Sequence, residues 1–463
     1  MEPQIREVEN NQQIHKGYVL KISLVAALGG LLFGYDTAVI SGVIGSLQKK
    51  FELSTLMMGW AASSAIWGCI AGVLIAGVVS DKIGRKKTLI ITAVLFLISS
   101  IVAAVPQNLT QFLVGRFIGG LGIGAASIIS PLYISEVAPA KIRGILVTMY
   151  QLAIVIGINL IYFVNLKIAN IGNEQWNIDT GWRYMIASGA LPSILFLVLL
   201  FIVPESPRWL TNNKKPEEAL NILQKINGKK EAGKILDEIQ LTLRAETGKF
   251  KELFQPGIRI AMIVGVFLAL FSQITGINAI IYYAPEIFKS AGFGTDSALL
   301  QTVLIGVVNT IFTFVAIGFI DKIGRKKLLL IGVAGMIICL LGIGLCYYFN
   351  VMNGPLLLIF ILSYIACFAS SLGPIPWVII SEIFPTKIRG IAMSVAALVL
   401  WIGVLLITQL TPWLLENLGG AYTFWLFMLN SIILFFFTML WIPETKQRTL
   451  EEIEQSWHRK SDV

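Results

Sequence analysis

Asp36 is the residue at which chemistry could begin. It stands in GGLLFGYDTAVISG, well inside an apolar run, and is the only carboxylate deep within any such run of the chain. A charge at the centre of a bilayer costs roughly 2.5–3.5 kcal/mol on insertion scales, so an acid there is read as functional by default. Depth identifies its partner. Asp36 lies about ten residues, ~15 Å, from the outer end of the first apolar run; Arg116, in LVGRFIGGLGIG, lies about seven residues, ~10 Å, from the outer end of the fourth. The two can meet in the outer half of a membrane. Burial raises an Asp pKa and a nearby Arg lowers it. Movement of Arg116 relative to Asp36 therefore changes proton affinity, which proton coupling requires. The competing reading is a structural pair that never titrates. Both histidines, His15 and His458, lie in the tails, which excludes a histidine relay.

A second set of residues is made of amides. FSQITGINAIIYYAPEIF puts Gln273 and Asn278 on either side of Gly276, beside Tyr282 and Tyr283. Amides offer both donors and acceptors, which suits a hydroxyl-rich ligand. Gly276 allows the helix to flex or unwind, as discontinuous transporter helices do. Gln151, Asn309 and Trp377 stand on three other apolar runs, and Trp377 follows GPIP, which predicts a kinked helix. Any one amide reads equally well as an interhelical hydrogen bond. The set together points to a polar cavity.

The elements that position these residues are membrane helices. The composition is 56% hydrophobic and 14% charged, whereas soluble domains carry about a quarter charged residues. A spanning helix needs about 20 mostly apolar residues. Twelve such stretches are read at 18–46, 57–80, 88–105, 109–134, 145–168, 183–203, 258–288, 298–320, 328–349, 355–381, 391–414 and 421–442. They are too long and too uniformly apolar for barrel strands. The fold class is thus an all-α membrane protein of two six-helix halves with short cytoplasmic helices. The expected divisions are an N-terminal tail (1–17), a first half (18–203), linker helices (204–257), a second half (258–442) and a C-terminal tail (443–463). Within the linker, PEEALNILQKI and AGKILDEIQLTL show helical spacing. In the tail, Leu450, Ile453 and Trp457 form one apolar helix face.

The net charge of +9 is a topology signal. Four short loops (81–87, 137–144, 321–327 and 385–390) hold twelve Lys/Arg. By the positive-inside rule they face the cytoplasm, as do both termini. Nucleic-acid binding is excluded on that ground. Cys69, Cys339, Cys346 and Cys367 all fall in apolar runs without metal spacing. No metal site, cofactor or enzymatic nucleophile–base constellation is read.

The loops also record a duplication. DKIGRKK occurs at 81–87 and 321–327, SEVAPAKIRG at 135–144 answers SEIFPTKIRG at 381–390, and PESPRWL at 204–210 answers PETK at 443–446. Gly84 and Gly324 permit a tight turn. Asp81, Arg85, Glu136, Arg143 and Glu205, with Asp321, Arg325, Glu382 and Arg389, form a candidate cytoplasmic latch of ion pairs, made in one conformation and broken in another. The alternative is a static topology anchor; the paired acids favour the switch.

These strings, in this order over about 20–455, resemble the sugar porter branch of the major facilitator superfamily. The resemblance implies alternating access about a central site between the halves. It implies sugar contacts at Gln151, Gln273, Asn278, Asn309 and Trp377, cavity-lining aromatics at Phe33, Phe368 and Trp401, and an outer gate at Tyr282 and Tyr283. It implies proton coupling through the GYD acid, Asp36, and the helix-four arginine, Arg116. Two positions depart from the family: Ser272 replaces the first of two consecutive glutamines, and Leu400 stands where an amide is common. Both remove reach from the cavity and leave the sugar open between a pentose, a polyol and another hexose epimer.

The expectation is therefore a monomeric proton–monosaccharide symporter of a bacterial cytoplasmic membrane. A proton-independent uniporter, a polyol–proton symporter, a nutrient sensor and a drug antiporter are the alternatives.

Overall fold

The computed structural model describes residues 15–139, 142–244, 250–255, 258–351, 355–385 and 388–446. The tail face of Leu450, Ile453 and Trp457 lies outside them. Among the described residues the secondary structure is helical, without strands. Eleven stretches are long and apolar enough to cross a membrane. They are α1 (Lys16–Lys50), α2 (Thr55–Ile83), α4 (Leu109–Val137), α5 (Arg143–Ala169), α6 (Glu174–Leu200), α7 (Ile258–Ser290), α8 (Thr295–Ile323), α9 (Arg325–Tyr348), α10 (Pro355–Ile383), α11 (Arg389–Asn417) and α12 (Gly419–Trp441). The twelfth, α3 (Arg85–Val102), is equally helical. It opens on Arg85, Lys86 and Lys87, whose charges take it below that standard.

Large apolar side chains such as Leu74, Val78, Leu191, Phe201 and Ile338 are exposed on the outside of the bundle. In water this would be costly; in lipid it is what a helical bundle requires. One start differs from the hydropathy reading. α6 begins at Glu174 with a π-turn over Asn177–Gly181, and the Asn173 side chain accepts from the Trp176 N–H at its start. Its polar first turns hide it from an apolar window. Between α6 and α7, the helices Pro207–Asn212, Pro216–Asn227 and Lys229–Arg244 pack around Leu210, Ala219, Leu223, Ala232 and Leu236.

Besides α6, which breaks at Ser188 and Gly189, three helices are interrupted. α1 breaks at Val39, three residues after Asp36. α7 breaks at Gly276, whose φ of +98° is left-handed, a conformation that costs other L-residues roughly 1–2 kcal/mol. The carbonyls freed there are used: Tyr364 Oη donates to Thr275 O at 3.0 Å, and Asn430 Nδ2 to Ile274 O at 3.0 Å. α10 breaks between Ser370 and Ile375, across Gly373 and Pro374.

The halves α1–α6 and α7–α12 meet at the end away from the DKIGRKK loops. Tyr162 Oη on α5 donates to Ile281 O on α7 at 2.8 Å. Backbones approach closely there: a Cβ on Gly59 would lie 2.2 Å from Gln409 O, and one on Gly306 would lie 2.6 Å from Asn159 Oδ1. Near the other end, Gly144, Gly318 and Gly390 have nothing within 4 Å of where a Cβ would be, and Ile145 is 68% exposed. Among the described residues the hydrogen bonds across the halves, Tyr162–Ile281 and Ser63–Gln409, lie away from the loops, and the loop-end ion pairs stay within each half, so the bundle is closed at one end and parted at the loop end.

Candidate functional site

The Asp36–Arg116 pair forms in the way depth predicts. Arg116 Nη1 donates to Asp36 Oδ1 at 2.8 Å, and Nη2 donates to the Asp36 carbonyl at 2.8 Å. The Arg116 side chain is 1% exposed and that of Asp36 13%. A buried ion pair gains less than its Coulomb energy suggests, but losing one partner strands the other charge at high cost. The pair lies beside the α1 break, three residues before Val39.

The amide cluster is also assembled. Asn278 Nδ2 donates to Gln273 Oε1 at 2.8 Å, and Gln273 Nε2 donates to Ser272 Oγ at 3.0 Å. Ser272 in turn donates to Ala269 O at 2.8 Å. Its small side chain is buried and points into the helix packing, so it fixes Gln273 rather than lining a cavity. Asn309 is buried on α8, and Gln151 on α5, Phe368 on α10 and Trp377 on the second segment of α10 are half-buried. Among the described residues these four make no hydrogen bond to the Gln273–Asn278 pair. Phe33 and Trp401 pack across the two halves, ring centroids 5.5 Å apart.

The two tyrosines differ from each other. Tyr283 Oη donates to Thr408 O on α11 at 2.7 Å, within its own half. Tyr282 is buried on the segment of α7 that follows the break. The tyrosine hydrogen bond that crosses the halves belongs to Tyr162. Sequence reading missed it because a lone tyrosine in an apolar run carries no distinguishing pattern.

At the loop end, the ion pairs stay within each half. Arg85 donates to Glu136 through Nε at 3.0 Å and Nη2 at 3.1 Å, and through Nη1 to Asp81 at 3.0 Å. Arg325 pairs with Glu382 at 3.1 Å and Asp321 at 2.8 Å. Arg143 donates to Ala138 O, and Arg389 to Phe384 O, each a carbonyl just before its own helix. Gly84 and Gly324 have φ of +100° and +97°, and a Cβ on either would collide with a glutamate, 2.2 Å from Glu205 Oε2 or 2.7 Å from Glu444 Oε2. Glu205 accepts from the N–H groups of Arg85 and Lys86, and Glu444 from those of Arg325 and Lys326. Each carboxylate thus caps a helix N-terminus, where negative charge is favoured. Burial pushes the Glu205 carboxyl above its ordinary value, against the pull of those N–H groups. Glu444 escaped the sequence reading, although the PES/PET repeat carried its signal.

The match to a family model described as "Sugar (and other) transporter" spans residues 22–457. The chain belongs to this sugar transporter family. The transporter is 47% identical over 442 residues to the arabinose-proton symporter of Bacillus subtilis, covering 95% of each chain. It is 41% identical over 481 residues to the D-xylose-proton symporter of Escherichia coli, covering 96% of this chain and 97% of that protein. Its structure matches the inward-open conformation of the xylose transporter XylE from E. coli with a TM-score of 0.86 at 40% identity, over 95% of this chain and 100% of that one. The transporter has the major facilitator fold, is a multi-pass membrane protein and is not an enzyme.

Proposed function

We propose that the chain imports an aldopentose together with a proton across a cytoplasmic membrane, as a single chain, by alternating access, with the DKIGRKK loops and both termini on the cytoplasmic side. The observation that carries this reading is the buried Asp36–Arg116 pair beside the interruption of α1. A carboxylate whose cationic partner sits on a neighbouring helix binds or loses a proton as the helices shift. The parted loop end makes the conformer inward-facing, and in it the Asp36–Arg116 pair is made.

Gln273 and Asn278 supply the sugar's hydrogen bonds, with Gln151, Asn309 and Trp377 facing them from other helices. In this conformer the Gln273 amide is engaged on both sides by Ser272 and Asn278. An amide satisfied without ligand gives up its sugar at little cost, which suits the release state. Phe33, Phe368 and Trp401 close the apolar side, and Tyr282 and Tyr283 stand toward the outer exit. The pentose assignment is supported by the arabinose- and xylose-proton symporter relatives and by the short Ser272 and apolar Leu400, which leave fewer polar groups for a sixth carbon's hydroxyl. The loop network of Asp81, Arg85, Glu136, Arg143 and Glu205, with its counterpart around Arg325, keeps each half rigid as it rocks.

A sugar-panel uptake assay in proteoliposomes tests this. Arabinose or xylose accumulates against its gradient when a proton gradient is imposed, and a protonophore abolishes the accumulation. Asp36→Asn loses accumulation and keeps exchange. Uptake indifferent to the protonophore would replace the proposal with a uniporter.

A further inference from the structure

Three buried polar atoms around the Asp36–Arg116 pair have no hydrogen-bond partner among the described residues: Asp36 Oδ2, Arg116 Nε and Ser99 Oγ. Arg116 spends its two Nη groups on Asp36 Oδ1 and the Asp36 carbonyl. The ion pair therefore satisfies one carboxylate oxygen and leaves the other bare. Ser99 lies on α3 and is 1% exposed. Its neighbour Ser100 donates to the Phe96 carbonyl one turn back, as helix serines commonly do. Ser99 makes no such bond, and its hydroxyl hydrogen is uncommitted. Gly119 on α4 stands between the two oxygens. A Cβ there would lie 2.4 Å from Ser99 Oγ and 3.1 Å from Asp36 Oδ2. Two unpartnered oxygens from different helices thus approach one point, and a residue without a side chain keeps that point open. An unsatisfied buried polar group costs about 1–3 kcal/mol, so joining the two removes a penalty on each.

We propose that Ser99 is a positioning residue for the coupling proton: its hydroxyl, directly or through one water over Gly119, serves Asp36 Oδ2, the oxygen that takes the proton. The inference rests on the reading of Asp36 as the coupling acid. Arg116 occupies Oδ1, so protonation falls on Oδ2. Toward the carboxylate, Ser99 donates in a charge-assisted bond; toward the protonated acid, the same oxygen accepts in a neutral one. Charge-assisted bonds are roughly twice as strong, so Ser99 favours the proton-free form and hence release. Among the described residues, the Cys69 thiol of α2 and the Tyr282 phenol of α7 also interact electrostatically with the pair. Of the groups around Asp36, Arg116 alone is ionic.

The test is the pH profile of gradient-driven pentose uptake in proteoliposomes, with equilibrium exchange measured in parallel. In Ser99→Ala the alkaline limb moves up by about 0.5–1 pH unit, the equivalent of one hydrogen bond, while exchange keeps its rate. Gly119→Ala, which fills the shared space, reproduces that shift, and Ser99→Thr, which keeps the hydroxyl, follows the parent profile. Should Ser99→Ala fail to insert, Ser99→Cys takes its place with the same expected direction. A Ser99→Ala profile superimposed on the parent overturns the inference. Asp36→Asn separates the two levels. Persistent accumulation in that variant defeats the coupling-acid reading itself. Accumulation lost in Asp36→Asn with an unmoved Ser99→Ala profile defeats Ser99 alone.

Discussion

The two halves carry the same loop and grip it differently. Arg85 holds Glu136 through two parallel bonds, whereas Arg325 reaches Glu382 through one and leaves its own Nε and Glu382 Oε2 buried without partners. Parallel bonds add strength and direction together. A like asymmetry recurs at mid-membrane. The first half holds the buried acid–arginine pair; the second holds the left-handed break at Gly276 and the Gln273–Asn278 cluster. The scaffold was kept on duplication and its interior work divided. On the function proposed above, the ionic pair belongs to the first half and most of the sugar-facing amides to the second, so proton and sugar need not share ligands.

The severest way to break that division is Arg116→Ala. It strands Asp36 in the first half at a cost of about 3–5 kcal/mol. We expect a large fall in Tm and no accumulation, with sugar binding by calorimetry retained; lost binding would show that the halves share ligands. Next is Gly276→Ala. Its left-handed backbone costs roughly 1–2 kcal/mol, and the new Cβ would stand 2.5 Å from the Phe427 ring. Its expected signature is weakened sugar binding and a lower Tm with an unchanged pH profile, and a moved profile counts against the division. Gln273→Ala removes a hydrogen-bonding amide from the proposed sugar site and is expected to weaken sugar binding about tenfold, near 1.4 kcal/mol, without altering the proton requirement in uptake assays. The smallest effect sharpens the loop comparison: Arg85→Gln should lower Tm more than Arg325→Gln, by the equivalent of about 1 kcal/mol for the second parallel bond. Equal losses would mean that the single bond of the second half does as much.

Much of this was legible in the sequence. Twelve apolar runs and the asymmetric placement of lysine and arginine give the bundle, because lipid demands both. Asp36 announces itself by being a carboxylate where water is absent, and helix pitch alone is enough to pair it with Arg116. Gly276 and GPIP mark breaks because glycine and proline act locally. What escaped has no local signature. Tyr162 is one tyrosine among apolar neighbours until α7 comes alongside. Ser99 and Gly119 look like the small residues of any tightly packed membrane helix, and their meeting with Asp36 exists only once three helices are packed. Ser272 was read as a loss of reach; its burial against Ala269 shows it holding Gln273. The latch residues were found individually, but which of them join depends on how the helices within each half pack.

The capping glutamates set a timetable for the chain as it is made. The turn at Gly84 waits for Glu205, 120 residues beyond the Arg85 N–H it caps, and the turn at Gly324 waits for Glu444, 119 residues beyond Arg325. Neither loop is sealed until the sixth helix of its own half has left the ribosome, and neither needs the other half to seal. Each loop thus takes its cap from its own six-helix unit, far along the chain, and neither cap is borrowed from the other half.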